Sequence, residues 1–186
     1  MDADIMFGFT GGLLSSIRLN FNKLQSLGPQ TFSGVSSPWR IVLHHNNIQE
    51  IPSRLMYRKD KELVMYSLDF DNNRIERVAP NAFEGIKYIQ ALYFSTNRIQ
   101  YLPDEVFINT TVGGILDLSL NLLQSIPQCI RSLKRLRHLY VHGNRLSVLS
   151  RETFSEMYSL RDLMISDNPI ILIDDRVFSE TQLVNL

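Results

Sequence analysis

Apolar residues recur along this chain in a fixed figure around an asparagine. In the stretch 115–127, Leu116, Leu118, Leu123 and Ile126 bracket Asn121. The figure is repeated around Asn22, Asn46, Asn73, Asn97, Asn144 and Asn168, and successive asparagines from 22 to 168 lie 24, 27, 24, 24, 23 and 24 residues apart. A self-similar period of this length is the mark of a solenoid array. Apolar residues two apart, such as Leu116 and Leu118, point to one side of an extended strand, and Asp117 between them points to the other. No repeat can bury its apolar side alone, so neighbours stack, their short strands form a parallel sheet, and each return segment crosses over right-handed. The asparagine falls where the chain turns, and its amide can satisfy buried main-chain groups there. Stacked asparagines would form a ladder, and loss of one would leave turn groups unpaired at about 1–3 kcal/mol.

The repeats divide the chain into three parts. Residues 1–13, with Phe7, Phe9 and Gly11-Gly12, read as the tail of a preceding repeat; a polar cap is the alternative, which two phenylalanines fit poorly. Seven repeats fill residues 14–182. Repeat two carries three extra residues in its return, together with the charge run from Arg58 to Glu62. Leu183 and Leu186 then stand where an eighth repeat would begin, so residues 183–186 read as its truncated start.

The pattern L-x-x-L-x-L-x-x-N-x-L-x-x-L-P-x-x-x-F, followed over roughly residues 14–178, resembles the leucine-rich repeat family. All seven repeats hold the asparagine and an apolar residue at the four key positions. The period and trailing phenylalanine (Phe32, Phe83, Phe107, Phe154, Phe178) are similar to the "typical" class common in extracellular receptor and matrix proteins. Repeat five, with Ile126-Pro127-Gln128-Cys129-Ile130, leans toward variants also found in cytoplasmic members. The resemblance implies an α/β solenoid, a right-handed β-α superhelix curved as a horseshoe, with the parallel sheet on its concave face.

Composition narrows the reading. Nineteen Lys and Arg balance nineteen Asp and Glu, so no global field draws the chain to nucleic acid or an anionic membrane. The local basic cluster Arg131, Lys134, Arg135 and Arg137 reads as a solvated outer face. One cysteine, Cys129, excludes an internal disulfide framework and reads as a small buried side chain. The N-terminus lacks the basic start and apolar run of a secretory leader, and no apolar run of about 18 residues could insert into a bilayer.

No catalytic constellation stands out. Phosphate-loop, H-E-x-x-H and G-x-S-x-G motifs are missing, and Gly113-Gly114 lacks the setting of a phosphate site. His44 and His142 occupy equivalent strand positions four repeats apart, about 20 Å at the usual strand spacing, and cannot share a metal. His44 and His45 are expected to diverge along the strand, and Asp174-Asp175 reads as a turn. We therefore expect no enzyme, no cofactor and no metal.

The informative residues are those between the buried strand positions, because they share one outward surface. One column runs Arg18, Val42, Asp69, Tyr93, Asp117, Tyr140, Met164; the next runs Asn20, His44, Asp71, Ser95, Ser119, His142, Ser166. Asp69, Asp71, Tyr93, Asp117, Tyr140 and His142 form the candidate partner-binding strip. Tyrosine offers apolar area and a hydrogen bond together, which suits interfaces. An acidic-aromatic strip fits a protein or peptide ligand with basic and apolar side chains. Asn109-Thr110-Thr111 is a candidate N-glycosylation site on a return segment, away from the strip.

The leading expectation is a non-catalytic protein-interaction module, part of a receptor or secreted ectodomain. The alternatives are the sensor segment of a larger receptor kinase or other signalling enzyme, and an intracellular scaffold or regulator. An extracellular location follows if the chain is a fragment, a cytoplasmic one if it is complete.

Overall fold

The computed structural model describes residues 15–35 and 38–184. The segment 1–13 and Leu186, read above as remnants of flanking repeats, lie outside the described residues.

Each repeat contributes one strand to a parallel sheet. These are β1 (Ser15–Arg18), β2 (Pro38–Val42), β4 (Leu63–Asp69), β6 (Ile86–Tyr93), β7 (Thr111–Asp117), β8 (His138–Tyr140) and β10 (Asp162–Met164), ordered in space as in sequence. The register is the one the spacing predicts. Ile17, Ile41, Leu68, Leu92, Leu116, Leu139 and Leu163 lie side by side. From Ile41 onward every member of that row is buried. Two-residue strands pair on the closing side of the coil: β3 (Glu50–Ile51) with β5 (Arg77–Val78), and β9 (Val148–Leu149) with β11 (Leu172–Ile173). Behind them the trailing phenylalanines stack: Phe83 on Phe107 at 5.8 Å between ring centroids, Phe154 on Phe178 at 5.6 Å. Repeat five has Cys129 and Ile130 in that place, both buried, and burial pushes the Cys129 thiol up to about 12.

The asparagines bind the coils to one another. In Asn46, Asn73, Asn97, Asn121, Asn144 and Asn168, Oδ1 accepts a main-chain N–H of the preceding repeat at 2.9–3.0 Å. Each Nδ2 donates to a carbonyl of its own repeat and to the equivalent carbonyl one repeat earlier. The carbonyls of Leu43, Phe70, Phe94, Leu118 and Val141 therefore each receive two asparagines. Asn22, in the first repeat, is exposed and, among the described residues, bonds to Leu19 and Asn20 of its own turn.

The residue before each asparagine has a left-handed backbone: Phe21, His45, Asn72, Thr96, Leu120, Gly143 and Asp167 all have φ between 53° and 65°. The turn that presents the asparagine needs this conformation, and only one repeat supplies a glycine for it.

The parallel-sheet solenoid is the one expected, with few helices: the described residues hold one α-helical turn, α1 (Gln128–Arg131), and one 3-10 turn over Asp104–Phe107. Both begin after a proline, Pro127 and Pro103, as a fixed φ at a helix start favours. The period leaves each return only a few residues, below the length at which helices sustain themselves. The chain is therefore a parallel-sheet β-solenoid. Two expectations need correction. First, His44 and His45 converge instead of diverging: their Nδ1 atoms lie 2.9 Å apart, because the left-handed φ at His45 folds its ring back. Second, Ile173, which fills the last of the four apolar key positions in repeat seven, is 55% exposed, with no further coil packed on it among the described residues.

Candidate functional site

The outward column is in register across the whole sheet. Arg18 pairs with Val42, then Asp69, Tyr93, Asp117, Tyr140 and Met164 follow strand by strand. The sheet thus brings Asp69, Tyr93, Asp117 and Tyr140 together as neighbours. Asp71, Ser95, Ser119 and His142 follow two residues later, where the chain leaves the sheet.

Burial along this strip is uneven. Tyr93, Tyr140, Asp71, Asp117 and His142 are half-buried, but Asp69 is only 9% exposed and Ser119 only 1%. Those two were expected on the open surface. The Ser119 hydroxyl donates to Asp117 Oδ1 at 2.6 Å and lies 3.0 Å from Ser95 Oγ, so it sits beneath its neighbours. Asp69 Oδ1 turns inward to accept the Asp71 N–H at 3.2 Å.

Electrostatics concentrate on Asp71. Burial, and then the nearby Asp69 carboxyl, push its pKa up to about 7; the Ser95 N–H donating to Asp71 Oδ1 at 2.6 Å opposes this, and Asp117 adds to it. Burial also raises Tyr93 and Tyr140 above the usual phenol range.

The face extends further upstream than the two columns drawn from the sequence. Ser16, Arg40, Ser67, Ala91, Ile115, His138 and Asp162 form a third row in register, with His138 Nδ1 against Asp162 Oδ2. Beyond it Trp39 stacks on Tyr66 at 5.2 Å and 14° between planes. At the leading edge, Tyr88, Gln90, Arg135 and Arg137 surround the glycine pair Gly113-Gly114. Continuing the outward alternation one position upstream of each leading leucine gives the third row, whereas Tyr66, Gln90 and Arg137, two positions upstream, are in phase with the buried row and do not follow from it. Register irregularities between Leu63 and Val64 and between Ile89 and Ala91 blur that alternation.

Asn109 is exposed, in a left-handed turn between the 3-10 turn and β7, while Thr110 is buried with its hydroxyl donating to the Phe83 carbonyl at 3.2 Å. It lines a shallow recess with Arg58 and Lys87, off the Tyr93–Tyr140 strip. No group of three metal-ligating side chains occurs among the described residues, and none of their helices is long and apolar enough to cross a membrane.

Comparison with known proteins agrees with this architecture. The model of the "BspA type Leucine rich repeat region (6 copies)" matches residues 6–128, and a second "Leucine rich repeat" model matches residues 134–186. Among curated relatives, podocan of Mus musculus is 27% identical over 89% of this chain and lumican of Gallus gallus 30% over 77%. The chain spans only 27% of the length of podocan and 40% of that of lumican. A chain in the octameric complex of Latrophilin 3, Unc5D and FLRT2 (LRR) superposes with a TM-score of 0.74 at 25% identity, covering 92% of this chain and 54% of that one. The TLR13–ssRNA13 complex contains the same fold, with a TM-score of 0.75 at 24% identity over 90% of this chain and 23% of that one. By sequence figure, sheet register and matched models alike, the chain belongs to the leucine-rich repeat family.

Proposed function

We propose that this chain is a non-catalytic recognition module that binds a protein through its sheet face, with Tyr93 and Tyr140 as anchors and Asp71, Asp117 and His142 around them. The observation that carries this reading is the alternation of two half-buried tyrosines with carboxylates along one row of the sheet. Half-buried aromatic rings can gain further burial against a partner, and the carboxylates select basic groups beside apolar ones. An octameric complex that includes FLRT2 (LRR) supports a protein as the ligand, and the kinship with podocan and lumican supports an extracellular setting. The balanced net charge supports no role for nucleic acid.

The test is capture with a photo-crosslinker near Tyr93, followed by identification of the attached proteins. Tyr93→Ala with Tyr140→Ala abolishes the captured set while the circular dichroism spectrum is unchanged. An identical set captured by both proteins would remove the strip from the binding site.

A further inference from the structure

We propose that the leading edge of the same sheet face carries a second recognition element, a cationic recess that takes an acidic side chain of the protein partner. The recess holds about 730 Å³ and is lined by Val64, Lys87, Tyr88, Gln90, Thr111, Arg135 and Arg137. This proposal rests on the reading of the sheet face as a protein-binding surface.

The recess is built into β7 by its glycine pair. A Cβ on Gly113 would collide with the Tyr88 ring and hydroxyl, and one on Gly114 with the Gln90 side chain and carbonyl. Both side chains of β6 therefore lie across the main chain of β7, and the Tyr88 hydroxyl donates to Gln90 Oε1 at 2.7 Å. Any larger residue at 113 or 114 would push this floor up and fill the space. The Arg137 N–H donates to the Gly114 carbonyl at 3.1 Å, which fixes the arginine segment to the far side of the same two glycines.

Of the cations in the recess, the two arginines are not spent on the protein itself. Lys87 is engaged by Glu62 at 3.2 Å, and Lys134, on the same segment as the arginines, by Glu156 at 3.1 Å. Arg135 and Arg137 are exposed and have no carboxylate within salt-bridge distance among the described residues. Both guanidinium groups nonetheless act on the Tyr88 hydroxyl, lowering its pKa against the larger upward effect of burial. A guanidinium fork matches a carboxylate in geometry as well as charge, and the tyrosine wall offers apolar contact beside it.

A protein segment fits better than a polyanionic glycan because the opposite charge is close by. Asp117 follows Gly114 by three residues and Ser95, which holds Asp71, follows Gln90 by five, so the carboxylates lie roughly 10–17 Å along the strands from the recess. A repeating polyanion laid over the face would meet them. A polypeptide with an acidic and a basic side chain four or five residues apart matches both ends.

The test uses the isotopically labelled 186-residue chain and a capped octapeptide with one glutamate and one lysine four positions apart, with valine, tyrosine and valine as the three residues between them. Saturable shifts of the Gly113, Gly114 and Gln90 side-chain resonances are expected. Arg135→Gln with Arg137→Gln, both at exposed positions, weakens that binding about tenfold or more, as loss of charge-assisted hydrogen bonds implies. Replacing the peptide glutamate by glutamine does the same. No shift at Gly113 and Gly114, or equal affinity of the arginine variant, would overturn the proposal. A heparin tetrasaccharide that moves the same resonances at lower concentration than the peptide would overturn it in favour of a glycan. Tyr93→Ala with Tyr140→Ala leaves the recess shifts in place, so a failure of the tyrosine strip and a failure of the recess give different results.

Discussion

Removing one internal asparagine separates the ladder from ordinary turn chemistry. In Asn121→Ala, the Ile99 N–H loses its acceptor at 2.9 Å and is left buried, which costs about 1–3 kcal/mol. Three donor bonds from Nδ2 also disappear, to Phe94, Leu118 and Ser119. Their carbonyls are not orphaned, however. Phe94 keeps Asn97, Leu118 keeps Asn144, and Ser119 keeps the Thr96 N–H. These losses therefore add only about 1 kcal/mol together, near the net value of one ordinary hydrogen bond. The expected destabilisation is about 2–4 kcal/mol, read as a fall in the urea midpoint followed by circular dichroism. Asn22→Ala removes two bonds at an exposed turn and is expected to cost about 0.5 kcal/mol or less. Because neighbouring coils stabilise one another, a fall in the urea slope for Asn121→Ala would mean that the array unfolds in two parts. Equal costs for the two variants would refute the ladder as the link between coils.

Three further outcomes follow from single residues. Thr96 is β-branched and held at φ 56°, so Thr96→Asn relieves a strained left-handed residue and raises stability by about 0.5–1 kcal/mol, read as a higher urea midpoint; a lower midpoint would show that the Thr96 side chain contributes more than its backbone costs. Asp71 keeps its proton up to about pH 7 in the folded state but releases it near 3.8 when unfolded, so its contribution makes stability fall as pH rises from about 4 to 7. Urea midpoints at pH 4.5 and 7.5 should differ less in Asp71→Asn than in the parent chain, and an unchanged difference would refute the assignment. Asn109 is exposed beside a buried Thr110, and in protein made through the secretory pathway Asn109→Gln should abolish the mass lost on enzymatic removal of N-glycans.

The fold was legible because its determinants are periodic and local. Apolar residues two apart define the buried side of a strand, and an asparagine three residues later defines the turn, so seven copies set the strand order and register together. What escaped was written in the backbone. The left-handed residue before each asparagine is Phe, His, Asn, Thr, Leu, Gly or Asp, and only Gly143 signals the conformation by its type. The same omission explains the two histidines: alternation along a strand makes His44 and His45 diverge, while the left-handed turn at His45 brings them to 2.9 Å. Helical returns were carried over from the family pattern, and the short period with its prolines left room for only one α-helical turn among the described residues.

For the sheet face, alternation gives direction but not depth. Asp69 and Tyr93 are register neighbours, yet one is 9% exposed and the other half-buried, since hydrogen bonding draws the shorter side chain in toward the turn. Ser119 shows the same effect more strongly, held under Asp117 and Ser95. Depth depends on which side chain of the neighbouring strand lies over a position, and that is a property of pairs of repeats. The glycine pair makes the point from the other direction. Gly113 and Gly114 look like loop residues in isolation, but across the sheet they are the space that Tyr88 and Gln90 occupy. A surface built this way changes its relief when either of two adjacent repeats changes, while the asparagines and leucines that hold the coils stay the same. Recognition can therefore vary along the sheet without disturbing the ladder beneath it.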